Sequence, residues 1–220
     1  MDPNETINTS EQTQETGELS HSDKMIGVFT EPTAIFSKLA FLNTKITDWL
    51  IPLIVMIIVA ILTTVLYMSN PEIKLEMMEQ QKKAVQEQFD EMVKSGQMTR
   101  EQADEQLERT EEMMDNPMFT ILFPSISIIF IMLLWFFVFT TVAFLIAKHI
   151  LKGTGTYSQA MTSMGLSLYI SVLGALLAII FSLIMGKAVT GFNPAVLLGI
   201  DVKSTQGFLL SRFDVFSIWF

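Results

Sequence analysis

Residues 118–147 read MFTILFPSISIIFIMLLWFFVFTTVAFLIA and contain no Asp, Glu, Lys or Arg. About 20 apolar helical residues cross the roughly 30 Å hydrocarbon core of a bilayer. This stretch exceeds that length. Pro124, one turn in, is expected to kink the helix or to begin its membrane portion; tilt is the other way to absorb the excess. On either side lie two more uncharged stretches, residues 49–68 (WLIPLIVMIIVAILTTVLYM) and 161–186 (MTSMGLSLYISVLGALLAIIFSLIMG). One such run could be a buried core helix. Three of them in 220 residues read as membrane spans.

Composition agrees once it is divided along the chain. Half of the residues are hydrophobic, 17% are charged, the formal net charge is −9 and the mean hydropathy is +0.43. An acidic disordered chain would be poor in large apolar residues, whereas this one has 17 Phe and 15 Met. The charge sits between the spans. Residues 1–48 carry −5, residues 69–117 carry −7, residues 148–160 carry +2 and residues 187–220 carry +1. Nucleic acid is an improbable partner, because its phosphates would repel an acidic chain without a basic stripe. The absence of Cys excludes disulfides, thiolate metal sites and Cys catalysis. No cofactor and no metal is expected.

Residues 1–24 are rich in Thr, Glu, Ser and Asn and read as a disordered polar tail. Residues 25–47 then read as an interfacial helix before the first span. Thr30 or Glu31 can cap it, Pro32 suits its first turn, and Ile35, Phe36 and Leu39 share one face. The membrane domain covers residues 48–220. Into it is inserted a polar helical hairpin, residues 71–116. Asn70-Pro71 ends the first span, since the residue before proline disfavours helix. The first hairpin helix runs near 71–94, with Ile73, Met77, Val85, Phe89 and Met92 in one stripe. Ser95-Gly96 turns the chain, and Thr99 starts the second helix with Gln102 at capping-box distance.

Residues 148–160 (KHILKGTGTYSQA) form a short basic loop, in which Gly153 and Gly155 are expected to supply turns. Its glycines lack the rest of a phosphate-loop motif. In the third span Ser163, Ser167, Ser171 and Ala175 repeat every four residues. Small residues on one face let helices approach closely in lipid, so these four are candidate helix-packing positions. A partial fourth span begins near residue 207. The chain stops within an apolar run, so a fragment of a longer protein is expected. The fold class is all-α: a polytopic membrane bundle with three full spans, a partial fourth and the hairpin.

Three segments carry a family resemblance: EPTAIFSKLA (31–40) with Trp49 and Pro52 following, AKHILKGTGTYSQA (147–160), and FNPAVLLGIDVKSTQGFLLSRFDVFSIW (192–219). Over about residues 29–220 the sequence resembles the Yip family (the Ypt/Rab-interacting-protein domain), and more its prokaryotic branch. The matching positions are Glu31, Pro32, Phe36, Gly153, Gly155, Asp214 and Trp219. The resemblance implies five membrane helices and a cytosolic N-terminus, and none of the matching motifs is catalytic. It implies small GTPases and vesicle traffic only for the eukaryotic branch, and no residue here transfers that contact. The plain count of basic residues, five on the N-terminal side against nine, favours the opposite orientation. The resemblance and the acid-free loop 148–160 favour an N-terminus in the cytosol of a cell with this protein in its cytoplasmic membrane.

Three functions compete. The first is a non-enzymatic scaffold or adaptor whose partners are the lipid bilayer, other membrane proteins or further copies of itself. The second is a transporter or channel component with a site near the third and fourth helices. Ionisable groups inside a membrane mark such sites, and the three uncharged runs offer none, so Asp201, Arg212 and Asp214 are its candidates. The third, an intramembrane enzyme, lacks support: there is no HExxH, no GxSxG and no carboxylate pair in a span.

Overall fold

A computed structural model describes residues 19–39, 41, 43–189, 191, 200, 206 and 209. Seven α-helices occur among them, and no strand. They run α1 (His21–Thr30), α2 (Pro32–Leu39), α3 (Ile46–Ser69), α4 (Pro71–Lys94), α5 (Arg100–Asp115), α6 (Phe123–Leu145) and α7 (Tyr157–Met185). Single π-helical turns, Met118–Leu122 and Ile146–Ile150, flank α6 and extend it to a continuous helix over Met118–Ile150. Three helices are long and apolar enough to cross a membrane: Ile46–Ser69, Met118–Ile150 and Tyr157–Met185. The fourth span expected from residue 207, and Asp201, Arg212, Asp214 and Trp219 with it, fall outside the described residues.

The body is built on α3 and α7, which pack along each other more extensively than any other pair. Val59, Val172 and Ile179 form their buried contact, with Val55, Met56, Leu66 and Ala175 against it. Near the start of α3 the two backbones approach closely. A Cβ on Gly165 would lie 2.5 Å from Trp49 Cα, so only glycine admits this approach. Trp49 stacks on Phe136 of α6, with ring centroids 5.6 Å apart. Most other apolar side chains of α6 are exposed, as expected of a lipid-facing helix.

Several boundaries differ from the sequence reading. Helix α1 begins at His21, inside the stretch read as a tail, because Ser20 and Asp23 form a reciprocal capping box. Residues 25–47 hold the rest of α1 and all of α2 rather than one helix. Glu31 closes α1, its N–H donating to the Gly27 carbonyl at 2.8 Å, and Pro32 opens α2. Ile35 packs so closely on Gly27 that a Cβ there would collide with it. Helix α3 starts at Ile46, so the first crossing segment is not free of charge: Asp48 lies in its first turn. Pro124 opens the α-helical part of the second span but not the span itself. It sits at the start of α6, just after the first π-turn, in a helix already running from Met118.

The hairpin follows from local chemistry. Asn70 caps α4, its side-chain oxygen accepting from the N–H groups of Glu72 and Ile73, and Pro71 occupies the first turn, where no N–H is needed. Gly96 turns the chain at φ +73°. Thr99 and Gln102 form the capping box of α5. Lys82–Glu111, at 2.5 Å, and Arg100–Asp90 bridge the two helices.

Candidate functional site: an interfacial cleft beside a buried ion pair

At the end of the bundle where α1 and α2 dock, Val28, Ile35, Leu39, Leu166, Tyr169 and Ile170 form one buried cluster, with Phe36 packed against it. The same helix α1 carries one partner of a buried ion pair. Lys24 Nζ lies 2.6 Å from Asp48 Oδ2, and the two side chains are 4% and 2% exposed. Asp48 Oδ2 also accepts from the Lys45 N–H at 2.9 Å. His21 Nε2 lies 2.7 Å from the Tyr169 hydroxyl, and its Nδ1 stands 3.6 Å from Asp48 Oδ1. Thus α1 is fastened to both α3 and α7. A buried charge left alone is very costly, while the pair itself is close to neutral in free energy. The arrangement therefore fixes where α1 sits more than it adds stability. A similar fastening ties the other end. The Tyr67 hydroxyl lies 2.6 Å from Ser182 Oγ and donates to the Val189 carbonyl at 3.1 Å.

A cleft of about 410 Å³, which shares Phe36 and Leu39 with that cluster, opens between α2, the end of α6, the 151–156 loop and the start of α7. Phe36, Gly153, Gly155, Ser163 and Ser167 all line it. Five sequence candidates from three separate segments therefore meet at one place. The loop is held from both ends. The Gly153 N–H donates to the Ala147 carbonyl at 2.8 Å, and Thr156 and Gln159 form the capping box of α7. Tyr157 contacts Thr141 through a 3.0 Å hydroxyl pair and Phe144 through its ring. The left-handed residue of the loop is Lys152, at φ +55°, and neither Gly153 nor Gly155 has positive φ. A Cβ on Gly153 would sit 3.2 Å from the Ala147 carbonyl oxygen, so this glycine serves close approach rather than the turn itself.

The cleft is apolar along Phe36, Leu39, Ala143, Phe144 and Met164 and carries one cation, Lys148. Lys148 Nζ lies over the Phe144 ring, 5.3 Å from its centroid. Thr140 is 1% exposed, lines the cleft and has no hydrogen-bond partner for its hydroxyl. No group of His, Asp and Glu among the described residues could hold a metal ion.

The remaining sequence candidates are distributed as follows. Glu31 and Pro32 form the α1–α2 junction. Ser163, Ser167, Ser171 and Ala175 are all half-buried. The most buried line of α7 runs one position away, through Thr162, Gly165, Leu166, Tyr169, Val172, Ile179 and Ser182. Adjacent helical residues point about 100° apart, which is why the serines flank that line, and Ser167 Oγ donates back to the Ser163 carbonyl. Sequence reasoning missed Lys24, Asp48, Thr140 and Gly165. Nothing local marks the first two as a pair, because they lie 24 residues apart.

A second cleft, of about 450 Å³, lies where the hairpin meets the spans. It is lined by Met68, Met77, Met78, Met113 and Met114 together with Phe119.

No curated protein and no solved structure shows significant similarity to the chain. The Yip1 domain family matches residues 26–220, which takes in α1 from its second turn onward, the hairpin, all three crossing helices and the cleft. With three membrane-crossing helices in that arrangement, the chain belongs to the Yip family of multi-pass membrane proteins.

Proposed function

We propose that this protein is a non-enzymatic membrane scaffold or adaptor that engages other membrane proteins, or further copies of itself, through the hairpin of α4 and α5. The observation that carries this reading is the methionine-lined cleft at the hairpin base. Methionine is unbranched and polarizable, so a surface built from it adapts to more than one partner. Leu75 and Met113, 60% and 41% exposed, extend the apolar surface onto the hairpin itself. The hairpin is otherwise strongly charged and stands outside the spans, where a partner can reach it. The protein resides in the cytoplasmic membrane with its N-terminus in the cytosol, which puts the hairpin on the far side.

Reconstituted full-length protein tests this reading against transport. Single cysteines at Leu75 or Met113 should give cross-links to a co-reconstituted partner or a second copy, and vesicles should show no solute flux. Flux that disappears in Asp214→Asn would overturn the scaffold reading in favour of a pathway near the third and fourth helices.

A further inference from the structure

The cleft between α2, α6 and α7 holds two polar groups without a protein partner of opposite character. Lys148 has no carboxylate within ion-pair distance among the described residues. Thr140 Oγ1 is buried and unpaired. In hydrocarbon an unsatisfied polar group is expensive, so a cleft that retains one is suited to an occupant with acceptor oxygens. The two groups are also spaced along one helix. Lys148 Nζ reaches back to the level of Phe144, and Thr140 lies one turn further in, about 6 Å at 1.5 Å per residue. A charged acceptor at the mouth and a neutral acceptor below it, followed by an apolar wall of Phe36, Leu39, Ala143 and Met164, is the polarity sequence of a membrane phospholipid: phosphate, ester carbonyl, acyl chain. The lining contains no acidic residue, and the first turn of α7 adds the positive end of its helix dipole. An anionic headgroup suits this better than a zwitterionic one, which would bring its own cation next to Lys148.

We propose that this cleft is a binding site for one anionic glycerophospholipid, with Lys148 meeting the phosphate and the Thr140 hydroxyl donating to an ester carbonyl.

Native mass spectrometry of the full chain tests this, after detergent exchange in equimolar phosphatidylglycerol and phosphatidylcholine. One lysine near an anionic lipid surface corresponds to a preference of roughly fivefold. Phosphatidylglycerol should be retained over phosphatidylcholine by about that factor, and Lys148→Gln should abolish the preference. Thr140→Val should reduce retention of both lipids without lowering the melting temperature of the delipidated protein, an outcome that a merely structural threonine would not give. Lys83→Gln on α4 should change nothing. Equal retention of the two lipids, or a preference that survives Lys148→Gln, would overturn the proposal. So would displacement of the lipid by millimolar glycerol phosphate, which would make this a site for soluble phosphate esters. A second copy of the chain retained in place of lipid would overturn it as well.

Discussion

At the residue scale the decisive feature is the Lys24–Asp48 pair, nearly inaccessible and joining α1 to the start of α3. Asp48→Ala leaves an ammonium buried without its counter-ion, and the expected loss is about 3–5 kcal/mol. It should appear as a lower melting temperature of the purified protein in detergent. Replacing both partners, Lys24→Met with Asp48→Leu, should restore the melting temperature to the wild-type value or above, since an apolar pair needs no desolvation. The pair was not legible in the sequence. The apolar run begins at Trp49, so Asp48 reads as the last residue outside the span, and Lys24 follows the polar run of the tail. Only the tertiary docking of α1 brings them together. Gly165 was hidden for the same reason: its importance lies in what faces it, the Trp49 backbone, and not in any pattern of its own.

At the element scale the hairpin helices are the most local part of the fold, and their ends could be read from capping chemistry alone. Asn70-Pro71 and Thr99 with Gln102 act through hydrogen bonds two or three residues away. Thr99→Ala removes an N-cap and should cost about 1 kcal/mol, visible as faster amide exchange in α5 while α3 and α7 are unchanged. The exposed ion pairs between α4 and α5 contribute little by comparison. Helix α1 offers a pH test. The Ser20 hydroxyl and N–H both donate to Asp23, and these bonds hold its carboxyl below the usual carboxylate range. A lowered folded value means that the capping box contributes fully above the unfolded carboxylate range and is lost as pH falls through the lowered value. The protection factor of the first-turn amides of α1, taken against the intrinsic exchange rate at each pH, should fall over that acidic window and stay constant between about pH 6 and 8.

At the scale of the whole molecule, the acidity and the apolar half of the composition occupy different places. Chain-wide charge partition was enough to identify the three crossing helices, because lipid demands long uncharged stretches. It could not say which faces meet. In lipid every apolar face is equally acceptable to the surroundings, so the sequence singled out the serine repeat of α7 although the neighbouring line is the most buried. The cleft was half legible: five of its lining residues were singled out in three separate segments, but Thr140 and Lys148 gained meaning only when α2, α6 and α7 came together. Everything proposed for the hairpin and the cleft depends on their lying on opposite sides of a bilayer. The chain has no native Cys, so single cysteines report sidedness without background. The most direct measurement is labelling of sealed, oriented vesicles with a membrane-impermeant maleimide, using Gln86→Cys and Gln106→Cys in the hairpin and Thr30→Cys and Thr154→Cys at the other end. The first two should react from one side only and the last two from the opposite side only; labelling of all four from the same side would contradict the three-span account.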